Sequence, residues 1–121
     1  VCEKLRAICQ QMPAYGQVIQ RSKPGTQRAR DFVAIEVLMR TFELDITSES
    51  ANLMLSEIFK AKHVPLSYLG EIGSDAVREF HRLGFPAVVA TMRPGVEVKD
   101  FDFYFDFVTA EVSKLKSLWH V

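Results

Sequence analysis

The stretch Asp100-Phe101-Asp102-Phe103-Tyr104-Phe105-Asp106-Phe107 can be read with two periods, and the choice between them sets the fold class. With a period of two, Phe101, Phe103, Phe105 and Phe107 share one face, the pattern of a strand. Arg93-Pro94-Gly95 would then turn a hairpin joining 87–92 to 96–107. With the helical period, Phe101, Tyr104, Phe105, Val108, Val112, Leu115 and Trp119 form one stripe that runs well past the aromatic cluster. Asp100 and Asp102 fall where a helix N-terminus favours acids, and Lys114, Lys116 and His120 fall where its C-terminus favours bases. A lone hairpin would also need a face to lie on. The helical reading over 100–119 is preferred, with Phe101, Phe105, Val108 and Trp119 in the core.

Working towards the N-terminus, every other element reads as helix. Ser74 can cap a helix with Asp75 in its first turn, and Gly84 can end it as a left-handed residue that lays Phe85 over Phe80. Pro65 can open a short helical turn through Leu69, closed by Gly70. Thr47-Ser48-Glu49 starts a helix whose stripe is Met54, Leu55, Ile58 and Phe59. Residues 27–44 carry Phe32, Val33, Ile35, Val37, Leu38, Met39 and Phe42 around most of the circumference, so this helix is expected at the centre, capped by Thr26. Val1, Leu5, Ile8, Cys9 and Met12 recur at helical spacing over 1–12, and Pro13 marks the stop. Residues 13–26 are weakly patterned, with a turn at Arg21-Ser22-Lys23-Pro24-Gly25-Thr26. The expected fold is therefore all-α, a compact bundle of five or six helices over 1–121 excised from a longer protein. The alternative is α+β with a β-hairpin at 87–107.

A chain of 121 residues can bury an adequate core without metal or disulfides. Cys2 and Cys9 are two helical turns apart on one helix, about 10 Å, which excludes a disulfide between them. Two buried free thiols and no readable signal peptide point to an intracellular protein. No apolar run approaches the ~20 residues of a membrane span. The 15 basic and 15 acidic residues balance, yet residues 1–30 hold six bases against Glu3 alone. Opposite charge in the two parts suits internal pairing, head-to-tail association or an anionic ligand.

Little in the sequence reads as an active site or a cofactor site. The six glycines form no phosphate-cradling loop, and neither CxxC nor HExxH occurs. His63, His81 and His120 are isolated and read as surface or capping residues, His81 with its protonation mildly favoured at a helix end. Asp102 and Asp106 share a helical face, where mutual repulsion would raise one pKa, and together with Asp100 they read as a solvated acidic edge rather than a metal site.

Two regions stand out as binding surfaces. Phe103, Phe107 and Leu118 flank the main stripe of the last helix and widen it beyond what a small bundle covers, which suggests a protein-partner or dimer interface. Arg21, Lys23, Arg28 and Arg30 occur with no acid between them and suit a partner or a polyanion. Tyr15 is the one aromatic near them, so a stacking platform for single-stranded RNA or DNA is poorly provided. The expectation is a non-enzymatic protein–protein interaction or self-association module, with nucleic-acid binding through 21–30 as the alternative.

Overall fold

The structure, a computed structural model, describes residues 1–22 and 25–119. Lys23 and His120, singled out above, lie outside the described residues. Eight α-helices and a 3₁₀ turn follow in order: α1 (Cys2–Cys9), α2 (Pro13–Val18), α3 (Ala29–Phe42), α4 (Glu49–Ala61), the 3₁₀ turn Leu66–Glu71, α5 (Asp75–Arg82), α6 (Phe85–Ala90), α7 (Phe101–Ser113) and α8 (Lys116–Trp119). There is no strand among the described residues, so the aromatic run is helical and the hairpin alternative falls. The helices outnumber the expected five or six because α2, α6 and α8 are short, while α1, α3, α4, α5 and α7 each have eight residues or more.

Local chemistry starts most of the long helices. Asp100 accepts the Phe103 N–H at 3.0 Å and begins α7. Ser48 accepts from Ala51 at 3.2 Å to begin α4, and Ser74 accepts from Val77 at 3.3 Å to begin α5. Thr26 does not cap α3, because its N–H is drawn to Gln11 Oε1 at 2.8 Å. Arg28 stands at that N-cap position instead, and its N–H is satisfied at long range by His81 Nδ1. Helix α4 ends on His63, whose φ of 57° lets Val64 N–H reach back to Phe59 O at 2.9 Å.

Two prolines that read as stops are also starts. Pro13 follows α1 and occupies the first turn of α2, where the missing N–H costs nothing. Pro86 does the same in α6. Gly84 is not left-handed (φ −86°, ψ −7°), so the expected Schellman end is absent. A Cβ there would lie 2.7 Å from Gln27 Cβ, so the glycine serves close approach of two segments. Phe85 consequently packs on Phe101 at 5.6 Å and Tyr104 at 6.2 Å rather than over Phe80.

The core is centred on α3 against α7, the most extensive helix contact. Phe32 stacks on Phe105 at 5.4 Å and meets Phe101 edge-on at 5.6 Å, and all three are fully buried. Each contributes roughly 2–3 kcal/mol from burial alone, which dominates any single surface contact. Helix α3 is not buried all round: Val37 and Phe42 are exposed, as is Met54 on α4. The C-terminal helix expected over 100–119 breaks after Ser113. The break lets α8 fold onto the 3₁₀ turn, with Leu115 buried and the Trp119 ring, half-buried, against Gly70.

Candidate interaction surfaces

Helix α7 presents different aromatics to core and solvent because consecutive side chains turn by about 100°. Phe101 and Phe105 point into the core, and Phe103 emerges 43% exposed. Phe103 lies edge-on to Tyr104 at 5.2 Å and lines a cleft of about 420 Å³. The rim of that cleft carries Glu36, Arg40, Glu97 and Lys99, with Val96 beside them. Glu36 is buried and receives Arg40 Nε–H at 2.8 Å, and Lys99 pairs with Glu97. Phe107 and Leu118 are half-buried against the core and lie outside that lining. The break before α8 places Leu118 on a separate helix from Phe103 and Phe107.

The basic residues of 21–30 are each engaged within the chain. The Arg21 guanidinium donates to Gln10 O at 2.8 Å and Met12 O at 3.4 Å. These are main-chain acceptors beyond the end of α1, where a cation suits the helix dipole. Arg28 Nε stands 2.9 Å from Asp31 Oδ2, an ion-pair distance with too poor an alignment for a hydrogen bond. Lys4 approaches the same carboxylate at 3.6 Å. Arg30 reaches the Thr91 hydroxyl at 2.9 Å. The structure attaches these residues to α1, α3 and the end of α6 and does not gather them round one ligand.

His81 overturns its sequence reading. It is 2% exposed, packed against Phe32 at 5.3 Å and Phe80 at 5.0 Å. Burial, and then the charge of Arg28, push its pKa down to about 4. The ring is neutral with Nδ1 as acceptor, and the helix-end dipole is too weak to offset desolvation. The acidic edge is also reversed. Arg78 donates to Asp102 at 2.8 Å and Asp106 at 3.1 Å, and Arg82 donates to Asp102. These two guanidiniums hold the Asp102 carboxyl below its usual range instead of leaving it raised by Asp106. Arg78 also covers the Phe105 ring at 4.4 Å. Cys9 is buried and Cys2 half-buried, both as free thiols pushed up in pKa by burial, so neither is an activated nucleophile.

A broader concavity of about 620 Å³ lies between Pro13, Ala14 and the segment from Gly70 to Val77. Its lining is mostly small and apolar, and the Ser74 hydroxyl there is already occupied as a cap. Among the described residues no group of three His, Cys, Asp or Glu side chains could hold a metal ion. No helix of the described residues is long and apolar enough to cross a membrane.

Sequence reasoning missed one surface. Phe42, Leu44, Leu53 and Met54 are between 45% and 65% exposed around the α3–α4 turn. Leu44, Asp45 and Met54 line a groove of about 300 Å³ together with Val1 and Cys2. The available signal was the run 41–59, which holds four acids and no base. Comparison with family models, with curated proteins and with solved structures finds no match to this chain.

Proposed function

We propose that this chain is a non-enzymatic interaction module of a larger protein, which binds a protein partner or a further copy of itself through the Phe103 side of α7. The observation that carries this reading is the contrast between neighbours: Phe101 and Phe105 are buried while Phe103 stands exposed in a charged-rimmed cleft. An aromatic anchor inside a polar rim is the anatomy of a protein interface. Phe107 and Leu118 would extend the contact from their half-buried positions. Binding of RNA or DNA through Arg21, Lys23, Arg28 and Arg30 is the weaker reading, because Arg21, Arg28 and Arg30 already serve internal contacts.

The test is retention of a partner from the native host by immobilised domain, wild type against Phe103→Asp. The reading expects loss of retention with folding intact. Equal retention by both would place the interface elsewhere. Salt-sensitive retention on immobilised RNA, abolished by charge reversal of Arg28 and Arg30, would favour the nucleic-acid alternative.

A further inference from the structure

Two exposed patches carry apolar side chains within charge of a single sign. Residues 41–59 contain Glu43, Asp45, Glu49 and Glu57 and no base, and each of these acids is exposed. Around them project Phe42, Leu44, Leu53 and Met54, and the groove they border opens beside Val1 and Cys2 at the N-terminal end of α1. Residues 4–30 contain six bases and no acid. At the end of α2 in that stretch, Val18 and Ile19 are 63% and 50% exposed, two adjacent apolar side chains followed closely by Arg21. Val18 and Ile19 do not line the groove of their own copy.

We propose that the domain assembles head to tail with a second copy, Val18 and Ile19 of one copy entering the acidic groove at the α3–α4 turn of the next. The inference rests on the interaction-module reading and gives that module a partner and a second surface. Charge complementarity selects this arrangement. A two-fold dimer through either patch alone would set like charges against each other across a desolvated contact, whereas the heterologous contact sets opposite charges together. The apolar centre supplies burial, and the charged surround fixes register and makes assembly salt-sensitive. A heterologous contact leaves one unfilled patch at each end, so assembly proceeds beyond a dimer unless the ring closes.

Sedimentation velocity over a concentration series tests this with two variants at exposed positions, Val18→Glu with Ile19→Glu and Leu44→Lys with Met54→Lys. Far-UV circular dichroism checks folding, and Ile19→Glu and Leu44→Lys alone replace either pair if it unfolds. The expected result is a wild-type mass that grows past a dimer and shrinks as salt rises from about 50 mM to about 500 mM. Each variant alone should be monomeric. Their mixture should form a one-to-one heterodimer that grows no further, because one intact patch of each kind remains. A wild type that is monomeric at millimolar concentration overturns the proposal. So do variants that assemble like wild type, or a mixture that stays monomeric. A monomeric wild type that still loses a host partner on Phe103→Asp would overturn this proposal alone. Head-to-tail assembly in a domain indifferent to Phe103→Asp would instead overturn only the role given to Phe103.

Discussion

The His81 imidazole accepts the main-chain N–H of Arg28 at 2.8 Å, joining α5 to the start of α3 across 53 residues of sequence. The bond requires a neutral ring with Nδ1 unprotonated. The folded pKa of about 4 lies below the ordinary value of 6.5, so the unfolded chain takes up the proton first as pH falls. The contribution of His81 to stability is thus complete above pH 6.5 and is lost progressively down to pH 4. The difference between those values corresponds to about 3 kcal/mol. Urea unfolding between pH 7 and pH 5 should show wild-type stability falling with pH. His81→Gln should be less stable at pH 7 and flatter over that window. Parallel slopes for the two proteins would remove His81 as the cause.

Phe105 and Phe103 lie two positions apart on α7 and should respond oppositely to truncation. Phe105→Ala opens a cavity under Phe32 and Arg78 and should cost about 3–5 kcal/mol. Phe103→Ala removes a mostly solvent-facing ring and should cost under about 1 kcal/mol. Phe107, half-buried, should fall between them. Thermal melts of the three variants check the order, and equal losses at 103 and 105 would contradict the helical phase assigned to this segment.

Gly70 touches the Trp119 ring so closely that an added Cβ would lie 2.6 Å from it. Gly70→Ala should displace α8 from the 3₁₀ turn, destabilise by about 1–3 kcal/mol and shift tryptophan emission to the red. Trp119 is the single tryptophan, so its emission reports this contact directly. Unchanged emission would show that α8 does not depend on Gly70.

His63 holds a left-handed conformation at the end of α4 with a side chain that lies exposed. Glycine adopts that conformation without the Cβ penalty, so His63→Gly should stabilise the fold by about 1 kcal/mol. Denaturant midpoints measure it, and a loss of stability would show that the imidazole makes an energetic contribution of its own.

The long helices were legible where their signals are local. Asp100, Ser48 and Ser74 are caps that can be named from sequence, and the stripe of Phe101, Phe105, Val108 and Val112 has one consistent period. The short helices were not, because Pro13 and Pro86 each follow a finished helix and open the next, and six residues carry too little periodicity to announce it. Gly84 misled because its reason is Gln27, and His81 because its partner is Arg28, both distant in sequence. The exposure of Phe42 and Met54 is likewise tertiary: their helical spacing is that of core residues, and only the packing of α3 and α4 leaves them uncovered. For the surfaces, Phe103 fits the exposed face assigned to it, while Phe107 and Leu118 are partly claimed by the core.

The most direct test of the interaction-module reading is to measure melting temperature and partner retention on the same preparation of Phe103→Asp. An exposed aspartate costs the isolated fold little, but an unpaired charge buried in an interface costs far more. The account predicts a melting temperature within about 2 °C of wild type and retention reduced at least about tenfold. Full retention at an unchanged melting temperature would contradict it, as would a loss of retention matched by an unfolded domain.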